Sequence, residues 1–150
     1  MMALGFGTSL CSPKSPCPCG SSLVYGSCCG PLHWATTRAE TAEQLMRSRY
    51  TAFVLGDVDY LIATHLDPEA PLERRRRELR NSCRKTRWLG LEIEAVEAGG
   101  IQDVEGTVTF KASFSEGGHR HSLQEVSLFE RRSRDLNGEW VYLRALALTQ

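Results

Sequence analysis

Residues 17–33 read Cys-Pro-Cys-Gly-Ser-Ser-Leu-Val-Tyr-Gly-Ser-Cys-Cys-Gly-Pro-Leu-His, and they hold four of the chain's six cysteines and one of its four histidines. The stretch is rich in glycine, serine and proline and has little to bury. So short a segment cannot build an apolar core that offsets its own chain entropy. Something other than hydrophobic burial must hold it.

Clustered thiols supply the means. Zinc takes four ligands at tetrahedral corners, with thiolate sulfur at about 2.3 Å and imidazole nitrogen at about 2.0–2.1 Å. Cys17 and Cys19 form one close pair and Cys28 and Cys29 the other, and the turn between them brings the pairs together. These four are the expected ligands, with His33 the alternative for the fourth place. One structural zinc contributes on the order of 10–16 kcal/mol at neutral pH. A disulfide across such a loop contributes about 3 kcal/mol and needs an oxidising compartment. Four sulfurs leave no open position for water, so the site is expected to be structural.

Composition bounds the rest. The chain has 150 residues, 41% of them hydrophobic, and eighteen basic residues balance eighteen acidic ones. That suits one ordinary domain with a small appendage and gives no global field favouring nucleic acid or membrane. No apolar run is long enough to span a bilayer. Residues 1–10 are mildly apolar without a positive n-region, which reads as no signal peptide. Residues 1–16 are expected to be disordered, the location cytoplasmic, Cys11 loose and Cys83 half-buried.

Thr41 followed by Gln44 forms a capping box. Leu45, Met46, Tyr50, Phe53 and Val54 then recur on one helical face up to Gly56. Asp57 caps a second helix to about Leu66, and a third runs from Leu72 to Cys83. Alternation with period two then marks four strands, at Leu89–Ala95, Val104–Phe114, His119–Arg131 and Glu139–Ala147. Gly99-Gly100, Gly117-Gly118 and Asn137-Gly138 separate them. Helices followed by a meander predict an α+β domain over 41–150, with helices on one face of a curved antiparallel sheet. A knuckle at 17–35 precedes it.

Several runs carry a resemblance. CPCGSSLVYGSCCG resembles the SEC-C motif, the zinc knuckle at the end of the SecA export motor. Cys29 stands where that motif has its histidine, and Ser22 where it has its second glycine. The run Thr41–Phe53 with Trp88–Ile93 and Glu125–Phe129 resembles the YchJ family. That resemblance implies a SEC-C knuckle followed by a nuclear transport factor 2-like, cystatin-like cone, and it brings no defined activity. It picks out Arg47, Ser48, Arg49, Tyr50, Trp88, Glu125 and Ser127 without assigning them roles. Ala70 replaces the arginine the family usually has before its proline, here Pro71. Cones of this type frequently pair through their sheets, which makes a homodimer an expectation.

Three functional classes follow. In the first, an adaptor, the knuckle docks a protein through exposed Leu23, Val24 and Tyr25. In the second, the cone binds or transforms a small molecule at Glu125, with Arg47, Arg49, Tyr50, His65 and Ser127 lining the cavity. The bland alternative has Glu125 paired with Arg47 or Arg49. An open cavity reaching Glu125 favours this class, and one plugged by Phe110, Phe129 and Trp140 favours the adaptor. In the third, Arg74–Arg77 binds RNA or the ribosome. Eight basic and two acidic residues fall between Glu73 and Arg87, but charge runs are usually solvated faces, here near Glu92 and Glu94. The adaptor is preferred, without catalysis.

Overall fold

The structure is a computed structural model that describes residues 11–67 and 69–150. Four helices precede four strands: α1 (Gly30–His33), α2 (Ala42–Leu55), α3 (Val58–Ala63), α4 (Leu72–Lys85), β1 (Arg87–Ala98), β2 (Glu105–Glu116), β3 (His119–Arg131) and β4 (Trp140–Thr149). The strands form one antiparallel sheet in the order β1-β2-β3-β4. This is the expected α+β meander.

Local signals set the helix ends. Thr41 Oγ1 accepts the Gln44 amide at 3.1 Å, and Gln44 Oε1 accepts the amide of Glu40 at 2.7 Å. The box therefore closes one residue earlier than the usual pattern. Gly56 ends α2 at φ +75°, a conformation glycine adopts without steric cost. Asp57 caps α3 through the Tyr60 amide. That helix stops at Ala63 instead of reaching Leu66, because residues 64–66 leave it to pair with β4. The Tyr142 amide donates to Thr64 O at 2.8 Å and the Leu66 amide to Tyr142 O at 3.0 Å.

The one-faced reading of α2 is corrected. Its buried residues include Leu45, Met46, Ser48, Arg49, Thr51 and Ala52, on nearly every side. The knuckle covers one flank while the sheet and α3 cover the others. β1 is corrected too: a bulge between Trp88 and Gly90 turns Trp88 inward and leaves Leu89 exposed. Trp88 packs on Tyr50, Phe53 and Phe114, with centroids 5.9, 6.1 and 5.3 Å away. Where β2 begins, a Cβ on Gly106 would lie 2.3 Å from the Gly99 Cα, so only glycine permits this backbone approach. The β3–β4 connection includes a helical turn at Arg132–Arg134 and is longer than the two-residue hairpin that Asn137-Gly138 signals.

Phe129, Trp140, Leu61 and Val108 are fully buried, each stabilising by roughly 1.5–3 kcal/mol. α4 has no buried residue. Polar contacts hold it: Arg75 donates to His65 O at 3.0 Å and Arg76 pairs with Asp59. The expected neighbours Glu92 and Glu94 take no part, and Glu94 accepts from Gln124 instead.

Candidate metal centre and cone cavity

Residues 11–16, placed by the sequence reading in a disordered lead, pack against the knuckle loop. Residues 1–10 lie outside the described residues. Ser15 O accepts the Tyr25 amide at 2.8 Å, Pro13 O accepts the Gly26 amide at 2.8 Å, and Pro16 bridges Val24. Cys11 is buried beside Cys17 rather than loose, and burial raises its thiol pKa. Cys83 is half-buried.

These backbone bonds fold the loop so that the sulfurs of Cys17, Cys19, Cys28 and Cys29 lie within 4.8 Å of one another. Cys19–Cys28 is 3.6 Å and Cys28–Cys29 is 4.0 Å. A tetrahedron with 2.3 Å arms has edges of about 3.8 Å, so the four sulfurs could hold a metal ion of that size. The spacing is far beyond a disulfide bond of about 2.05 Å, and all six cysteines are free. Hydroxyls complete the surroundings: Ser21 Oγ lies 3.1 Å from the Cys28 sulfur and Thr51 Oγ1 3.8 Å from that of Cys17. Thiol hydrogen bonds from Cys17 and Cys29 lower the Cys19 pKa, while burial pushes Cys28 up to about 11. Four thiols this close cannot all ionise alone, and a bound cation removes that conflict.

His33 is engaged elsewhere. Its Nδ1 lies 2.7 Å from Tyr25 Oη and its Nε2 2.8 Å from Ser48 O. Both ring nitrogens are used, so His33 fastens the knuckle to α2. Arg47 does the same, donating to Cys19 O at 2.8 Å and pairing with Glu43 at 3.0 Å. Tyr25 is buried, against the expectation that it is exposed, while Leu23 and Val24 stay 53% and 41% exposed. Trp34 packs edge-on against Tyr25 at 5.6 Å and keeps about half its surface open.

A second site lies within the cone. A cavity of about 250 Å³ between α2 and the sheet reaches Glu125. Of the residues considered for it, Arg49, Tyr50, Glu125 and Ser127 line this cavity, while Arg47 and His65 lie outside it. Arg47 points to the knuckle, and the His65 ring packs at a tilt against Tyr142, with centroids 4.9 Å apart. Phe110 lines the wall, and Phe129 and Trp140 do not plug the space. Glu125 Oε2 accepts from Ser127 Oγ at 2.6 Å and from Tyr142 Oη at 2.9 Å. No ion pair joins Glu125 to Arg47 or Arg49 among the described residues. Arg49 instead donates to Leu61 O and Thr64 Oγ1, with its guanidinium 5.0 Å from the Tyr142 ring centroid. Burial lowers its pKa to about 10, so it stays charged at neutral pH. The Trp88 indole Nε1 is buried and has no hydrogen-bond partner among the described residues.

The sequence reading did not single out Tyr142. Its signal was the strand period, two residues after Trp140, but nothing local marked its hydroxyl as the partner of Glu125. Cys11 and Thr51 were also missed, because their place beside the sulfurs depends on docking of the knuckle against α2.

Residues 41–145 match the model of the YchJ middle domain, described as nuclear transport factor 2-like. The chain belongs to the YchJ-like family. A UPF0225 protein of Streptomyces coelicolor is 46% identical over 130 residues, covering 87% of this chain and 94% of the relative. One from Ralstonia nicotianae is 40% identical, covering 88% and 91%. Among solved structures, a SEC-C motif containing protein from Rhodopseudomonas palustris superposes with TM-score 0.72 at 36% identity, covering 87% of this chain and 97% of its own. A second SEC-C motif containing protein, from Psychrobacter arcticus, gives 0.71 at 27% identity, covering 92% and 85%. The nuclear transport factor 2-like fold and the SEC-C relationship expected from the sequence both stand.

Proposed function

We propose that this chain is a zinc-bound, small-ligand-binding cone protein, in which one structural zinc held by Cys17, Cys19, Cys28 and Cys29 fixes the knuckle against α2. The sulfur spacing and the engagement of His33 elsewhere support the four-thiolate assignment. A reducing, cytoplasmic setting suits six free thiols. No helix of the described residues is long and apolar enough to cross a membrane.

The observation that carries the ligand reading is the cavity of about 250 Å³ between α2 and the sheet, walled by Tyr50, Phe53, Trp88 and Phe110 and reaching Glu125. An aromatic ligand ring packed on that wall gains beyond its buried area. The chain contains two other tryptophans, Trp34 and Trp140. Titrating single-ring fragments into nitrogen-15-labelled, zinc-loaded protein should move the Trp88 indole signal and leave the other two in place. An unmoved Trp88 signal across the panel refutes the reading.

A docking role for the knuckle is the second reading. Exposed Leu23 and Val24 favour it, and with Tyr25 buried those two carry the surface. RNA binding by Arg74–Arg77 is left with less to work with, since Arg75 and Arg76 are spent within the fold.

A further inference from the structure

Resting on the reading that the cone cavity receives a small ligand, we infer that this ligand is a zwitterion, an α-amino acid with an aromatic or other apolar side chain, whose carboxylate pairs with Arg49 and whose ammonium pairs with Glu125. Buried charges are ordinarily paired, and Arg49 is not. The residue is only 7% exposed, yet no carboxylate forms an ion pair with it among the described residues. Its two hydrogen bonds, to Leu61 O and Thr64 Oγ1, both leave from Nη1. Nε and Nη2 donate to no described residue. Neither is walled off, since Trp88 Nε1 is the one enclosed side-chain nitrogen or oxygen without a partner among the described residues. These two nitrogens therefore keep accessible surface, and the cavity is the space that Arg49 lines.

Glu125 stands in the same position with the opposite sign. Ser127 and Tyr142 both donate to its Oε2, while Oε1 takes no hydrogen bond from the described residues and is not enclosed either. Tyr142 sets the distance between the two charges. The guanidinium lies over its ring, 5.0 Å from the centroid, and the carboxylate holds its hydroxyl. One cavity wall thus carries a cation and an anion, kept apart by a phenol ring instead of closed into a salt bridge.

A ligand with one charge finds its counter-ion on this wall and also a like charge. A zwitterion finds two counter-ions, and each contact is a charge-assisted hydrogen bond. An α-amino acid carries both charges on one carbon and leaves the remaining volume to its side chain. A cavity of about 150 Å³ takes benzene, so about 250 Å³ holds one ring with that compact head group. Phe53, Trp88, Phe110 and Leu123 supply the apolar surface for the side chain, and aromatic pairs gain beyond their buried area.

The test uses zinc-loaded full-length protein and four probes that share a phenyl ring: L-phenylalanine, 2-phenylethylamine without the carboxylate, 3-phenylpropionate without the ammonium, and ethylbenzene without either. Nitrogen-15 shifts of the cavity-lining residues give each Kd. L-phenylalanine should bind saturably and at least about tenfold more tightly than each of the others, as the loss of a hydrogen bond to a charged group entails. Glu125→Gln keeps the shape and removes one charge. It should weaken L-phenylalanine by about tenfold and leave 3-phenylpropionate as tight or tighter, a reversal that a merely structural role for Glu125 would not produce. Should that variant misfold, the four probes on the unaltered protein decide alone. Either single-charge probe matching L-phenylalanine overturns the zwitterion, and ethylbenzene matching it overturns any role for the two charges. If none of the four binds while other single-ring fragments move the Trp88 signal, this assignment alone falls. If no ring moves that signal, the ligand reading falls with it.

Discussion

Ser22 sits at φ +75° in the knuckle turn, where the SEC-C pattern has glycine. The left-handed region costs a side-chain-bearing residue roughly 1–2 kcal/mol. Glycine relieves that strain but gives back roughly 0.5–1 kcal/mol through the greater freedom of the unfolded chain. Ser22 is exposed and its hydroxyl makes no hydrogen bond among the described residues, so nothing else is lost. Ser22→Gly should therefore stabilise the knuckle by about 0.5–1 kcal/mol. Folding of such a segment and metal binding are one event, which converts this gain into a roughly two- to fivefold lower zinc Kd. Competition with a chromophoric chelator measures it directly. Ser22→Ala retains the strain and should stay within about twofold of wild type. Weaker zinc binding by Ser22→Gly, or an equal gain in Ser22→Ala, refutes the strain argument.

Three further outcomes are expected. Tyr25→Phe and His33→Phe should each destabilise the zinc-loaded protein by about 1–3 kcal/mol, by leaving a buried polar group without its partner. A double-mutant cycle in urea should show coupling of at least about 0.5 kcal/mol, and additivity would contradict the contact. Burial, then Arg49 and Arg75, lower the His65 pKa below 6.5 despite Asp67 nearby. The unfolded chain thus takes up that proton first as pH falls, and stability drops below pH 6.5 by up to about 1.4 kcal/mol per pH unit. His65→Gln should flatten this part of the urea-unfolding profile, and an unchanged slope would contradict it. Arg74→Glu with Arg77→Glu, on the exposed side of α4, should change stability by less than about 0.5 kcal/mol, and a larger loss would show that these side chains pack.

Elements governed by neighbouring residues were legible in the sequence. Thr41, Gln44 and Gly56 bound α2 because caps act within one turn of helix. The knuckle showed itself because four thiols so close in sequence have few other uses. What escaped depends on residues distant in the chain. Tyr25 looked like surface in a polar loop, yet it is buried because His33 and Trp34 close over it. Arg49 lies off the apolar stripe of α2, and its burial is tolerable because Leu61 O and Thr64 Oγ1 accept from its guanidinium. The bulge that turns Trp88 inward breaks the period-two pattern and leaves no local mark on the sequence.

Native mass spectrometry of protein purified without a metal-affinity tag, before and after a strong chelator, tests the centre of this account most directly. One zinc per chain, removed by the chelator together with the ordered signals of residues 11–33, is the predicted result. A metal-free chain whose mass shows cysteines lost to disulfides would contradict it.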